Sequence, residues 1–369
     1  FFFIVLSMTR SRLLHEKDIQ RKTVTTSSDD FIFCERFLRK VSRTFAVNIG
    51  VLRGPVYRGV LIAYLLCRMA DTIEDDPEMT PSLKTEKLRQ YASMFPPSRN
   101  FENDYVDFLD ELPFREDEDE SILLHSGSRV LREFVKLPPS LVKIVSTHVR
   151  EMAEGMARFQ DRVANEGASF LQDEEDLRKY CYFVAGTVGV MLTGIFTGHT
   201  SRITPAARRI LENKSVAFGQ GLQITNIARD VFGDQARGWC YIPRSFFPES
   251  THFPMDLSAP GNRDALVQAH RRLVRLAADC LDDALEYTLA LPRSLYRLRL
   301  FCLWPLFMAV ESLGKISGDG DFLTGKPVKI TRGDVKRIVR NTSLAVFSNH
   351  ALRKMYGNAR KRVLTTPPL

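Results

Sequence analysis

Two short acidic clusters carry the spacing from which chemistry could be built. One holds Asp71, Glu74 and Asp75; the other holds Asp230 and Asp234. Each ends an apolar stretch with helical periodicity, and each has an arginine just upstream, Arg68 and Arg229. In the first segment Tyr64, Arg68, Asp71 and Asp75 step by four, three and four residues, so they share one helix face with Glu74 beside them. In the second, Gln223, Asn226, Asp230 and Asp234 repeat the pattern, amides first and carboxylates last. Either stripe alone could be a surface salt-bridge face. Two facing stripes would repel unless cations lay between them. Oxygen-only ligands suit Mg²⁺, which takes one or two carboxylates and completes its shell with water and substrate phosphate. The pair therefore points to a Mg²⁺–diphosphate site between two helices, with Arg229 able to grip phosphate oxygens through its planar fork.

Other segments are equivocal. Ser42-Arg43-Thr44-Phe45 gathers hydroxyls, a guanidinium and a ring, yet Ser and Thr also serve as plain helix caps. Around Tyr180, the small residues Ala185, Gly186 and Gly189, with Val188, either leave room for an apolar chain or allow close helix packing, and spacing does not separate the two. Phe301-Cys302-Leu303-Trp304-Pro305 reads as a proline-broken apolar stretch, and Lys329 and Arg332 as a charged loop. The six cysteines are scattered without CxxC pairs, as buried thiols in a reducing compartment, and the seven histidines form no HExxH, which argues against zinc. There is no GxGxxG for a dinucleotide.

The elements that must position these residues are helices nearly throughout from Phe31 onward. Breaks fall at Gly54-Pro55, Pro77, Pro81, Phe95-Pro96-Pro97 and Pro138-Pro139. Long helices are expected from about Ser140 to Val163, Asp176 to His199, Pro205 to Asp234, Asn262 to Leu291, Ser294 to Ile316 and Thr331 to Asn349, with a long loop from Cys240 to Gly261. In 369 residues, 44% hydrophobic and 26% charged, no composition break divides the chain. The expectation is an all-α, single-domain bundle around a central cavity, with residues 1–28 a disordered arm, 29–349 the helical domain and 350–369 a basic tail. The uncharged run from Tyr180 to Gly198 approaches membrane-spanning length but reads as a core helix, since a span there would part the two clusters. A net charge of +8 is spread over helices rather than drawn into a tract with interleaved aromatics, which disfavours nucleic acid. The one basic cluster, Arg353, Lys354, Arg360, Lys361 and Arg362, is either a solvated tail or a contact with anionic lipid.

With these segments in place, the chain resembles the squalene/phytoene synthase family, the head-to-head prenyl synthases, over about residues 31–345. Five blocks carry the resemblance: Ser42 to Phe45, Arg68 to Asp75, Tyr180 to Gly189, Gln223 to Asp234, and Arg237-Gly238 on to Tyr241 and Pro243. Gly155-Met156-Ala157 with Phe159, Phe301-Cys302 with Pro305 and Met308, and Val328-Lys329-Ile330 are most similar to the squalene-forming branch. The resemblance implies an isoprenoid-synthase-type bundle, two farnesyl diphosphates as substrates, and Mg²⁺ on Asp71, Glu74, Asp75, Asp230 and Asp234. It implies substrate contacts from Ser42, Arg43, Thr44, Phe45, Tyr64, Arg68, Gln223, Asn226, Arg229 and Tyr241, with Ala185, Val188, Gly189 and Leu222 as apolar lining. Tyr180 is implied as a proton relay near the leaving diphosphate. NADPH is implied near Phe301, Lys329 and Arg332, giving squalene through presqualene diphosphate. The carotenoid branch, which makes phytoene or dehydrosqualene without reduction, and a non-catalytic scaffold relative are the alternatives. Gly233 departs from the family, where many relatives have a second acidic residue, and Thr44 replaces a frequent Ser. No membrane helix follows Asn349. The resulting expectation is a monomeric cytoplasmic enzyme, peripheral at most to the membrane.

Overall fold

The fold, taken from a computed structural model, describes residues 28–251, 253, 255–318 and 329–364. Its helices are α1 (Asp29–Val41), α2 (Arg43–Ile49), α3 (Gly54–Glu74), α4 (Pro81–Ser93), α5 (Phe101–Phe108), α6 (Asp119–His125), α7 (Gly127–Phe134), α8 (Pro139–Glu166), α9 (Glu174–Cys181), α10 (Thr187–His199), α11 (Pro205–Arg229), α12 (Val231–Ala236), α13 (Arg263–Ala290), α14 (Tyr296–Gly318), α15 (Arg332–Ala345) and α16 (Asn349–Leu364). Among the described residues no strand forms, and the all-α bundle expected from the periodicity is what the chain adopts. The expected N-terminal arm lies outside the described residues except for Ser28, which caps α1 through a bond from the Phe31 N–H.

α3 sits at the centre. Gly54 enters it at φ +59°, a left-handed conformation that glycine adopts without a Cβ clash, and Pro55 occupies its first turn. Nearly every residue from Val56 to Ile73 is buried, so this helix is enclosed on most sides by α7, α8, α10 and α4. α11 starts at a Thr204 cap followed by Pro205 and packs against α10, α13 and α14. Its approach to α10 needs two glycines. A Cβ on Gly189 would stand 2.1 Å from the Ser215 carbonyl oxygen, and one on Gly219 would stand 2.2 Å from that of Ala185. The small residues around Tyr180 therefore serve close helix packing, whatever else they do.

Four features differ from the expectations. Between α9 and α10 the chain takes a π turn, Tyr182–Gly186, which shifts the register between Tyr180 and Val188. α11 does not run to Asp234 but breaks at Asp230. Pro305 does not break α14, which continues through it and loses only the rung to the Phe301 carbonyl. Finally, the basic segment from 350 is not a solvated tail over the described part. It forms α16, which buries Leu352, Tyr356, Ala359 and Val363 and packs on α14 and α13. Three of its cations are used internally: Arg353 pairs with Glu286, Arg360 with Asp279 and Asp282, and Arg362 with Glu311.

Among the described residues two helical stretches, Glu174–His199 and Arg293–Ser317, are long and apolar enough to cross a membrane. They are 56% and 78% buried inside the fold, as core helices are.

Candidate active site

The C-terminal end of α3 forms one wall. Arg68 is buried and lies between Asp71 (Nη1–Oδ2 3.9 Å) and Glu120 of α6 (Nη2–Oε1 3.0 Å). Burial pushes the Asp71 carboxyl above the usual carboxylate range, with Arg68 opposing. Burial, then the charges of Asp75 and Asp71, push Glu74 up to about 8. Glu74 Oε1 is buried without a hydrogen-bond partner. Asp75 is the exposed cap of the helix, and Lys84 donates to the Glu74 carbonyl at 2.7 Å beside it.

α11 and α12 form the other wall. Asn226 is buried and its Nδ2 donates to Gln223 Oε1 at 3.4 Å, while its Oδ1 has no partner. Burial lowers Arg229, an effect offset by Asp230 and Asp234. Asp234 is pushed up to about 8 by burial, with Arg237 opposing and Asp230 and Asp75 adding to the rise. Asp75 caps α3, so the carboxylates of the two helix ends are near enough for the charge of one to act on the other. Arg237 pairs with Asp230 (Nη2–Oδ2 3.5 Å) and with Asp234. A Cβ on Gly233 would lie 2.4 Å from Asp230 Oδ1, so a side chain there would require that carboxylate to move.

Two tyrosines lie between the walls. Tyr180 and Tyr241 stack at 4.7 Å and share a hydrogen bond. Both feel Glu74 and Asp75, and burial keeps both hydroxyls protonated. Trp239 stacks on the other face of Tyr241 at 5.2 Å and 5°, and Phe159 meets Tyr180 edge-on at 5.2 Å. The loop is held there by a bridge in which the Cys240 N–H donates to Ser169 and the Leu171 N–H to Cys240.

An apolar slot of about 50 Å³ is lined by Phe45, Val188, Gly189, Leu222 of α11 and Phe301 among others. A narrower neighbour reaches Tyr64 and Cys67 of α3 and shares Val188, Leu192 and Phe301 with it. Side chains lining this slot must give way for a longer apolar guest. Phe45 stacks on Tyr64 at 5.7 Å, and Ser42 caps α2 through the Phe45 N–H at 3.2 Å. Thr44, half-buried, follows in the first turn of α2, and the Arg43 side chain lies outside the described part. Ala185 is at the α10–α11 contact rather than among the slot's lining. Lys329 and Arg332 lie at the start of α15, which packs on α14, the helix of Phe301; Val328 is outside the described residues. Three residues beside the site were not picked out by spacing: Glu120, Lys84 and Arg237. Only the last, three residues beyond Asp234, carried a signal that sequence periodicity could have extended to.

Oxygen donors fit this site. Glu74 Oε1 and Asn226 Oδ1 are buried acceptors without partners, and Asp71, Glu74 and Asp234 are carboxylates whose charge is disfavoured until a cation arrives. That donor set suits a hard cation such as Mg²⁺. Among the described residues no cluster of three or more metal-binding side chains is tight enough to enclose an ion alone.

The sequence profile of the squalene/phytoene synthase family matches residues 38–334. The chain belongs to that family. It is 30% identical to the squalene synthase of Eremothecium gossypii over 317 residues, covering 84% of this chain and 67% of that protein. It is 27% identical to human squalene synthase over 312 residues, covering 84% and 69%. Among solved structures, a ligand complex of TcSQS shares the fold with a TM-score of 0.73 at 22% identity, over 92% of this chain and all of that one. A dehydrosqualene synthase does so with a TM-score of 0.58 at 20% identity, over 86% and 97%.

Proposed function

We propose that the chain joins two farnesyl diphosphates head to head through presqualene diphosphate and reduces the product to squalene with NADPH. One observation supports the reading: carboxylates at the ends of α3 and of α11/α12 act on one another, in a chain that also holds an apolar slot beside α11 and whose curated relatives are squalene synthases.

Asp71, Glu74, Asp75, Asp230 and Asp234 would hold Mg²⁺, which when bound supplies Lewis-acid neutralisation of the departing diphosphate. Arg68 and Arg229 add fixed positive charge beside the same anion, with Arg43, Gln223 and Asn226 orienting it. Loss of diphosphate from the first farnesyl group leaves an allylic cation. The double bond of the second attacks it, and loss of a proton closes the cyclopropane. Tyr180 and Tyr241, held protonated and hydrogen-bonded to each other, can pass that proton toward the released diphosphate by accepting one and donating another. Phe45, Val188, Gly189 and Leu222 keep water from the cations. The second diphosphate then leaves; NADPH, when bound, would supply the hydride that converts the rearranged cation to squalene. Phe301 on the slot, with Arg332 opening the adjoining helix α15 and Lys329 in the segment before it, offers the ring and cations that a phosphorylated nicotinamide needs, and we assign it there. We assign the enzyme to the cytoplasm as a monomer that meets an anionic membrane surface peripherally.

Product analysis tests this. Purified protein with farnesyl diphosphate and Mg²⁺ is expected to release squalene only when NADPH is present. Dehydrosqualene made regardless of NADPH, or phytoene from geranylgeranyl diphosphate, would move the chain to the carotenoid branch. Failure to bind a prenyl diphosphate analogue with Mg²⁺ would leave a scaffold relative.

A further inference from the structure

The break at Asp230 coincides with a contact from another helix. In an uninterrupted helix the Ala228 carbonyl would accept the Phe232 N–H. Here Asp230 leaves helical geometry at φ −118° and ψ 28°, its own N–H reaching back to Asn226 (3.1 Å) and Ile227 (3.3 Å). Helix resumes at Val231, and no backbone N–H of the described residues takes the Ala228 carbonyl. His270 of α13 takes it instead, with Nε2 at 2.7 Å. His270 is 3% exposed, and because a carbonyl only accepts, Nε2 must carry the proton. Burial pulls the ring's pKa down to about 4, so the imidazole is neutral near pH 7. The break turns the Asp230 carboxylate over Gly233 toward Arg237 and Asp234.

We infer that His270 is a positioning residue: by holding the Ala228 carbonyl it keeps α11 from running on into α12, and so places Asp230 beside Asp234 as one half of the cation-binding wall. The cation-binding part rests on the function proposed above; the holding of the break does not. A helix that healed across Asp230 would carry that carboxylate on the regular four-residue stripe, away from the space Gly233 leaves open.

The test compares His270→Leu, which fills similar volume without a donor, with His270→Gln, whose amide can donate to the same carbonyl. Both are first checked for an intact helical signal and melting transition. Inorganic pyrophosphate binding is then followed by calorimetry as Mg²⁺ is titrated, and backbone hydrogen exchange is measured for residues 228–236. In His270→Leu the Mg²⁺ needed for half-maximal pyrophosphate binding should rise roughly tenfold, about the effect of one net hydrogen bond. His270→Gln should return it to within about threefold of the wild type. The Phe232 amide should become more protected in His270→Leu, as it bonds the freed carbonyl, and return to wild-type exchange in His270→Gln. An unchanged Mg²⁺ midpoint in His270→Leu, beside a wild type that binds normally, overturns the inference. If the wild type itself binds no pyrophosphate with Mg²⁺, the proposed function fails, and the exchange of Phe232 still decides whether His270 holds the break: unchanged exchange in His270→Leu overturns that role.

Discussion

Loading the metal-free protein with Mg²⁺ should expel protons, and Glu74 and Asp234 supply a countable share of them. Glu74 and Asp234 each sit near a pKa of about 8, raised mainly by burial and also by neighbouring carboxylates. A metal ligand must be ionised, so binding Mg²⁺ strips the proton from whichever molecules still carry it. At pH 7 a group with a pKa near 8 is about 90% protonated, so each releases about 0.9 proton and the two together about 1.8. At pH 9 the same arithmetic leaves about 0.2. The sign for affinity follows: Mg²⁺ competes with protons below about pH 8, so its apparent affinity falls as pH falls. The sign for stability is the opposite. These carboxylates hold their protons more tightly in the folded chain than in the unfolded one, so metal-free stability falls as pH rises from the ordinary carboxylate range to about 8, and Mg²⁺ restores it. Calorimetry in two buffers of different ionisation enthalpy counts the protons. Glu74→Gln provides the internal control and should lower the count at pH 7 by about 0.9. Equal counts in the two proteins, or a release that does not decline between pH 7 and pH 9, would refute the reasoning.

Arg237→Met removes the guanidinium that bridges Asp230 and Asp234. The arginine is half-exposed, so its hold is screened, and Mg²⁺ alone should bind about three- to tenfold more tightly, as read by a calorimetric titration. Gly233→Ala places a Cβ 2.4 Å from Asp230 Oδ1; turnover should fall by tenfold or more with a nearly unchanged melting temperature, whereas a normal rate would mean that Asp230 has other room. Leu352→Ala empties a fully buried position on α16 and should cost about 2–5 kcal/mol by denaturant unfolding; a cost under about 0.5 kcal/mol would mean that α16 is not part of the core.

The α3 stripe was legible because it depends only on three- and four-residue spacing along an unbroken helix, and all of Arg68, Asp71, Glu74 and Asp75 fall where that spacing puts them. The second stripe was legible in its residues but not in its shape. Its break at Asp230 coincides with a contact from His270, forty residues away in sequence, which no local pattern reports. Arg68's partner Glu120 and Glu74's neighbour Lys84 come from α6 and α4, again through tertiary packing. The helix expected from Ser294 to Ile316 formed through Pro305, because α14 is enclosed by its neighbours and loses only one rung there. In the C-terminal segment the signal was present: Leu352, Tyr356, Ala359 and Val363 step by four, three and four, but the arginines between them drew the eye to charge. The π turn after Tyr180 left no trace in composition.

The most direct measurement is anomalous diffraction from crystals grown with Mn²⁺, as a visible substitute for Mg²⁺, and a farnesyl thiodiphosphate that cannot ionise readily. Metal peaks are expected in the hollow between Asp71 and Asp75 on one side and Asp230 and Asp234 on the other, bridged by the diphosphate, with the farnesyl tail in the slot beside Val188 and Phe301. Metal bound at only one wall with no shared diphosphate, or a tail outside that slot, would contradict the joint site.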